Sequence, residues 1–339
     1  LITFLLNALL SVLTGTSFGT AATMGVICAT MGRAMGADMA VLGGAVLSGA
    51  YFGDRCSPVS TSALLVSELT GTNIFDNIRR MVRSSLIPFL LSCALYLALG
   101  RMSPVSGTGP DLREMFSAEF SLHPAAILPA VVITVLSLLR VPVRRAMAAS
   151  ILTAIPIAYV LEHRAFDEIA RCAVFGFSAA DADVAKLMNG GGIVSMVRVF
   201  GIVCLSSSYA GIFRETGLLD GIRGAVETFA RRTTGFAATA LTSVFTGVIA
   251  CNQTLTIMLT HQLCGGIPRE KEQFALDLED TAVVLAPLVP WSIAGTVPLA
   301  SVGAPLTGLL FPFYLYLLPL WRLGGSFAEK KKPEKKPEE

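Results

Sequence analysis

Two stretches of this sequence decide its fold: GDRCSP, from Gly53 to Pro58, and LEDTAVVLAPLVPWS, from Leu278 to Ser292. Each places a carboxylate, Asp54 in the first and Asp280 in the second, beside helix-breaking residues within an apolar region. A proline inside a helix removes a backbone hydrogen bond and clashes with the preceding turn, so both stretches predict interrupted helices. The expected helix-breaking residues are Gly53, Pro58, Pro287 and Pro290.

The composition indicates that these interrupted helices lie in a membrane. Hydrophobic residues make up 53% of the 339 residues and charged residues only 15%, with a mean hydropathy of +0.66, which is unlike a soluble domain. Several runs approach the roughly 17 to 25 apolar residues that a membrane-spanning helix needs. Because these runs are continuous rather than alternating, helices are favoured over a β-barrel, and we predict an all-α polytopic membrane protein. The runs are residues 84–100, 124–139, 146–161, 190–212 and 306–321.

The basic residues predict the orientation, because Lys and Arg concentrate in cytoplasmic loops. All the clusters fall on one side if the segment from Phe236 to Leu263 enters the membrane, turns near Asn252 and returns. The segment from Leu1 to Met31, with its polar turn from Thr14 to Thr20, then forms a second hairpin that opens to the opposite side. We therefore expect a multi-pass inner-membrane protein with a cytoplasmic C-terminus. The clusters are Arg79, Arg80 and Arg83; Arg140, Arg144 and Arg145; Arg231 and Arg232; Arg269 and Lys271; and the C-terminal tail.

Each predicted hairpin precedes one broken helix, and the two broken helices would run in opposite directions. This order is typical of an inverted-repeat secondary transporter, in which substrate binds where broken helices meet. The predicted division is a first repeat core over 1–100, connecting loops and scaffold helices over 101–212, a second, inverted core over 213–323, and a disordered charged tail over 324–339. Because the chain opens with Leu1 inside a hydrophobic stretch, we expect that it is truncated at the N-terminus.

Asp54 and Asp280 are expected to carry the chemistry, because a charge at bilayer depth costs roughly 2.5 to 3.5 kcal/mol and is seldom present without a role. The structural alternatives are a salt bridge between Asp54 and Arg55 and a capping role for Asp280 beside Glu279. A proton and a cation that compete for one carboxylate suffice for antiport. Oxygen ligands that suit Na⁺ surround the two acids, so we predict a Na⁺ site at Asp54 and Asp280. The expected ligands are Thr16, Ser17, Thr20, Ser57, Ser60, Asn252, Thr254 and Thr281, although each hydroxyl could equally bond to its own helix.

Five stretches together carry a resemblance to a known family: TGTSFGT (14–20), GAVLSGAYFGDRCSPVS (44–60), NIRRM (77–81), CNQTLTIML (251–259) and the second break (278–292). They resemble the NhaC-type Na⁺/H⁺ antiporter family of the ion transporter superfamily over nearly the whole chain. The resemblance implies Na⁺/H⁺ exchange and further helices before Leu1. Residues 57–64 read SPVSTSAL where family members often read SPLSDTTN, so this chain has one acid and one amide fewer at its first break.

The sequence thus predicts a secondary active transporter that exchanges cytoplasmic Na⁺ for H⁺. The alternative is a Na⁺- or H⁺-coupled exchanger of organic anions such as malate and lactate, or of amino acids, with the substrate carboxylate held by helix N-termini at the breaks. An enzyme or a channel is disfavoured, since the sequence has no His-Glu-x-x-His motif, no plausible Ser/His pair and no filter repeat. The expected partners are membrane lipids, Na⁺ and H⁺, and an organic anion in the alternative. No cofactor or nucleic acid is expected, and a homodimer is compatible with the sequence.

Overall fold

The computed structural model describes residues 1–102, most of 120–180, and 220–330, with isolated positions between these ranges. Over these ranges the regular structure is helical, which confirms the predicted all-α class. Most of the predicted run 190–212, the predicted loop after residue 102, and residues 331–339 lie outside the described residues. The chain divides into two compact units. Unit 1 comprises residues 1–61, 96–204 and 297–312, and unit 2 comprises residues 62–95, 205–296 and 313–339.

The helices of the first half begin with a hairpin and the first break. The elements are α1 (Ile2–Thr14), α2 (Ser17–Thr20), a π-helical turn (Ala21–Gly25), α3 (Val26–Ala34), α4 (Met39–Cys56), α5 (Thr61–Thr70), α6 (Ile74–Met102), a 3₁₀ turn (Pro124–Ile127), α7 (Leu128–Leu138), α8 (Val143–Val160) and α9 (Phe166–Phe175).

The helices of the second half contain another hairpin and the second break. They are α10 (Asp220–Arg232), α11 (Gly235–Ala250), α12 (Gln253–Cys264), α13 (Lys271–Asp280), α14 (Ala282–Leu285), a 3₁₀ turn (Ala286–Leu288), α15 (Ile293–Ser301), a further 3₁₀ turn (Leu306–Leu310) and α16 (Phe313–Lys330).

In unit 1 the backbones of α1 and α4 touch, because glycines leave no side chain between them. A Cβ atom added to Gly49 would lie 2.5 Å from the carbonyl oxygen of Phe4, and one added to Gly53 would lie 2.3 Å from the Cβ atom of Ser11. The Ser11 hydroxyl donates to the carbonyl of Ala50 at 2.5 Å. Small residues at membrane helix interfaces permit such close packing. The contact holds the C-terminal end of α4, which carries Asp54, against the first hairpin.

In unit 2 helices α11 and α12 form the predicted hairpin, with the turn at Cys251 and Asn252. Its two arms are joined by a hydrogen bond of 2.8 Å between the hydroxyls of Thr246 and Thr260. The core of this unit gathers residues from both arms and from the second broken segment, including Ala238, Ile257 and Leu278. Apolar packing therefore fixes the hairpin against the segment that carries Asp280.

Two described helices are long and apolar enough to cross a membrane, Ile74–Met102 and Leu306–Lys330. The pair Lys271–Leu288 and Ile293–Ser301, bent by 59°, is a third span if it is counted as one, which confirms the predicted broken helix. The predicted runs 124–139 and 146–161 form α7 and α8, whose apolar parts are shorter than a full span. Whether the two halves are related as inverted repeats stays a prediction.

Helix α16 extends into the residues that the sequence predicted to be a disordered tail. Helix α16 continues to Lys330, so residues 324–330, which were expected to be disordered, are helical. The Lys330 ammonium donates to the carbonyls of Arg231 and Arg232, at 3.2 and 3.1 Å, and to that of Thr233. Cations are favourable at the carbonyl end of a helix, and these carbonyls end α10. The end of α16 is therefore anchored by its own lysine.

Candidate functional site

The first break lies between α4 and α5 and contains a buried carboxylate. Asp54 lies in the last turn of α4, with only 3% of its surface exposed. The Ser60 hydroxyl, which lies just past the break, donates to Asp54 Oδ1 at 2.9 Å. Ser57 and Arg55 are fully buried beside it in the same unit. The structure thus brings two predicted site residues, Asp54 and Ser60, into direct contact.

The polar turn of the first hairpin packs directly on this break. Gly15 has a φ of +66°, and a Cβ atom there would lie 2.7 Å from the backbone nitrogen of Ser60, so only glycine fits. Ser17 and Thr20 are buried, whereas the Thr16 hydroxyl caps α2 by accepting from Gly19 N at 3.2 Å. Ser17 and Thr20 therefore remain candidates as ligands, while Thr16 has a structural use that explains its position.

The second break begins at Thr281, whose φ of −127° and ψ of −77° are not helical. Its hydroxyl donates to the carbonyl of Asp277 at 2.6 Å and accepts from the Ser243 hydroxyl at 3.0 Å. The bond from Ser243 ties the break to α11. Pro287 opens the 3₁₀ turn that follows and is buried, whereas Pro290 is exposed in the turn that leads to α15. Both predicted prolines therefore lie where the helix is interrupted.

Two buried carboxylates share one arginine at this second break. Asp280 is fully buried, and its Oδ2 lies 2.7 Å from Nε of Arg322. Nη2 of the same guanidinium donates to Oδ1 of Asp277 at 3.2 Å. Ser84 adds a hydroxyl 3.3 Å from Asp280 Oδ1. A buried carboxylate is tolerated only when it is compensated, and here one guanidinium contacts both carboxylates.

Asp277 also binds a second arginine. Arg269 Nη1 donates to Asp277 Oδ2 at 2.8 Å, and Gln273 donates to Asp277 Oδ1 at 2.8 Å. Asp277, with a side chain that is 3% exposed, therefore lies between two guanidinium groups, and Asp280 contacts one of them. The cluster formed by Arg269, Asp277, Asp280 and Arg322 is called the carboxylate–arginine cluster below.

Sequence reasoning missed three members of this cluster: Asp277, Arg269 and Arg322. A signal for Asp277 was present, because Asp277, Asp280 and Thr281 follow the i, i+3, i+4 spacing of one helix face. Arg269 was counted only among the basic residues of a loop. Arg322 directly follows the last predicted apolar run, and nothing local pairs it with residues more than forty positions earlier.

Two of the predicted ligands, Asn252 and Thr254, lie on the second hairpin. Asn252 caps α12, since its Oδ1 accepts from Leu255 N at 2.8 Å, and its Nδ2 donates to the carbonyl of Ala250 at 3.1 Å. Thr254 is exposed and lies outside the carboxylate–arginine cluster. The hairpin does touch the broken segment, because Gln253 donates to the carbonyl of Val283 at 3.1 Å. Thr281 is therefore the predicted ligand that the structure places beside Asp280 in the chain and in the fold.

A cavity of about 460 Å³ in unit 2 reaches the carboxylate–arginine cluster. Arg269, Asp277 and Arg322 line it, together with the exposed Arg231 and Lys330. Because the first group is largely buried and the second is exposed, the cavity connects the surface at the end of α16 with the buried ion pairs. Its volume is large enough to hold several water molecules.

Comparison with known proteins shows which family this chain resembles. The NhaC Na⁺/H⁺ antiporter of Alkalihalophilus pseudofirmus is 29% identical, with 94% of this chain and 71% of that protein covered. The arginine/ornithine antiporter ArcD of Halobacterium salinarum is 26% identical, over 99% of this chain and 73% of its own length. The malate-2H⁺/Na⁺-lactate antiporter of Bacillus subtilis is also 26% identical, with 87% of this chain and 65% of that protein covered. The profile of the Na⁺/H⁺ antiporter family matches residues 1–68 and 49–324, and the chain therefore belongs to this family of membrane transporters.

Proposed function

We propose that this protein is a secondary active transporter that exchanges Na⁺ for H⁺, and that the two cations compete at Asp54 and Asp280. The observation that carries the proposal is that each broken helix places one carboxylate in a buried position beside hydroxyl groups. Asp54 accepts from Ser60 at 2.9 Å, and Asp280 accepts from Ser84 at 3.3 Å. Membership of the antiporter family supports the same reaction.

Competition follows from the chemistry of a buried carboxylate. Desolvation disfavours the bare negative charge, so the group gains by binding either a proton or a metal cation. Na⁺ prefers hard oxygen ligands, which the hydroxyls of Ser60, Ser84 and Thr281 and the carbonyls freed at the breaks would supply. Since each carboxylate is neutralised in one way at a time, loading Na⁺ on one side releases a proton there.

We further propose that the protein lies in the cell membrane with its C-terminus in the cytoplasm. Supporting this orientation, the exposed cations Arg231, Arg232 and Lys330 lie together where α10 and α16 end. Cytoplasmic faces of membrane proteins are enriched in such groups. Cytoplasmic Na⁺ would then leave the cell in exchange for entering protons, and the cavity in unit 2 would open toward the cytoplasm.

The test is proton flux in proteoliposomes that carry the full-length protein and an internal pH dye. A jump in Na⁺ or Li⁺, without any organic solute, is expected to change the internal pH, whereas K⁺ serves as the control. The apparent KM for Na⁺ should rise as the pH falls, approaching about tenfold per pH unit if one proton is displaced. No flux with any of these cations would contradict the proposal.

Exchange of an organic solute is the second candidate, favoured by the names of two relatives, ArcD and the malate-2H⁺/Na⁺-lactate antiporter. The sequence SPVSTSAL (57–64) also favours this candidate. It has one acid fewer than family members often have at the first break, so less negative charge is available there to bind a cation. The same proteoliposomes decide between the two. Silence until malate, lactate or arginine is added would make this protein an organic-solute exchanger.

A further inference from the structure

Arg322 occupies the position that a bound cation would take in the carboxylate–arginine cluster. Its Nε lies 2.7 Å from Asp280, and its Nη2 lies 3.2 Å from Asp277. Among the residues that the structure describes, these two carboxylates are the only hydrogen-bonding or ionic partners of its guanidinium. One positive group thus contacts two buried acids, one of which is the proposed Na⁺ site.

The second arginine of the cluster has more hydrogen-bond partners, although both guanidinium groups lie over aromatic rings, that of Arg322 at 5.3 Å from the Phe236 ring centroid. Besides Asp277, Arg269 bonds to the Thr239 hydroxyl at 2.9 Å and to the carbonyls of Gly235 and Cys264 at 3.3 and 3.4 Å. Its guanidinium also lies 4.0 Å above the Phe274 ring. With 9% of its side chain exposed, it joins the start of α11 to the end of α12 and to α13. Arg269 is therefore a fixed structural group.

Both arginines border the cavity, but the Arg322 side chain is more exposed than that of Arg269 and has fewer hydrogen bonds to break before it can move. The Arg322 side chain is 21% exposed and borders the cavity of about 460 Å³ that reaches the surface near Lys330. A long arginine side chain can place its charged end in such a wet cavity while its methylene groups stay packed. If the guanidinium leaves the carboxylates for this cavity, water can solvate its charge. The free-energy cost of the move is therefore far smaller than that of burying the charge without a partner.

We propose that Arg322 is a tethered cation that neutralises Asp280 while this carboxylate holds neither Na⁺ nor a proton, and that it swings into the cavity when either of them binds Asp280. This inference rests on the proposed Na⁺/H⁺ exchange. Na⁺ replaces one positive charge with another, so the buried carboxylates are never left uncompensated during exchange. Arg322 thereby lowers the affinity for Na⁺ and speeds its release, and it acts as a positioning residue through Asp280.

The test measures the KM for Na⁺ and the maximal exchange rate of the full-length protein at about pH 9, where proton competition is small. Arg322→Gln removes the tethered competitor, so the KM for Na⁺ is expected to fall about tenfold while the maximal rate also falls. Arg322→Lys retains a tethered charge and should restore both values to within about threefold of wild type. Lys271→Gln removes an exposed positive charge from the same unit that neither lines the cavity nor contacts either carboxylate, and should change neither value.

Folding is controlled by a charge-balanced variant, because two adjacent acids without their arginine can prevent assembly. Arg322→Gln combined with Asp277→Asn removes one charge of each sign, and it should bind Na⁺ more tightly than wild type for the same reason. An unchanged or raised KM in the folded variants would overturn the role of Arg322. Absence of Na⁺-driven flux in the wild type would instead reject the proposed function itself, so the two failures are distinguishable.

Discussion

Replacement of Asp280 by Asn is the most direct test of the second break. The substitution keeps the shape of the side chain but removes the charge that faces Nε of Arg322 at 2.7 Å. Removing one partner of a buried ion pair costs about 3 to 5 kcal/mol. Arg322 keeps Asp277 at 3.2 Å and is 21% exposed, so we expect a loss of about 3 kcal/mol, the lower end of that range. The variant should therefore insert and fold, with a lowered Tm.

The assay compares proton flux driven by a Na⁺ jump with thermal unfolding of the same preparation in detergent. Asp280→Asn is expected to lose exchange, because an amide cannot give up and regain a proton. Asp76→Asn is the matched control, since the Asp76 side chain is 62% exposed and lies 3.8 Å from Arg79 in a surface pair worth about 0 to 1 kcal/mol.

Near-normal exchange by folded Asp280→Asn would refute the reasoning and remove Asp280 from the mechanism. The neighbouring acid Glu279 is also fully buried, so residual activity has one specific explanation to test. If Glu279 takes over the role, adding Glu279→Gln to Asp280→Asn abolishes the remainder. If activity survives both changes, the second break does not carry the transported proton.

Three further predictions concern the first break and the hairpins. Asp54→Asn should abolish exchange while membrane insertion is retained, and flux measured in the purified variant would exclude Asp54 from the reaction. Gly53→Ala should lower stability by at least about 1 to 3 kcal/mol, because the added methyl would lie 2.3 Å from Ser11 Cβ. Gly100→Ala in α6 is the control, because the added methyl would meet nothing within 4 Å and should be neutral or stabilising by up to about 1 kcal/mol. Equal Tm changes in Gly53→Ala and Gly100→Ala would contradict the packing of α1 on α4. Thr254→Ala should leave the KM for Na⁺ unchanged because Thr254 is exposed. A raised KM would instead indicate that Thr254 is a ligand of Na⁺.

Local chemistry explains why the breaks were predictable. Pro58 and Pro287 act on their own backbone and the adjacent turn, so their effect can be read without knowing the tertiary fold. Gly53 was predicted to break the helix as well, but it lies within α4, which continues to Cys56, and its position is explained by the close packing on Ser11. The hairpin turns near Gly15 and Asn252 were predictable for the same reason. The roles of the side chains were harder to predict, since Thr16 and Asn252 are helix caps in the structure rather than demonstrated ligands. A hydroxyl or amide after a turn suits both uses, and sequence alone does not separate them.

The sequence by itself determined that this is an all-helical membrane protein with a carboxylate at each of two breaks, because hydropathy and helix-breaking residues act over short distances. Only the tertiary structure decided which charges those carboxylates meet. Arg322 reaches Asp280 from a helix that begins more than thirty residues later, and Arg269 reaches Asp277 across the loop that precedes α13. Such pairs form because desolvated charges must be compensated by whichever group the packing brings near, and packing depends on the whole chain.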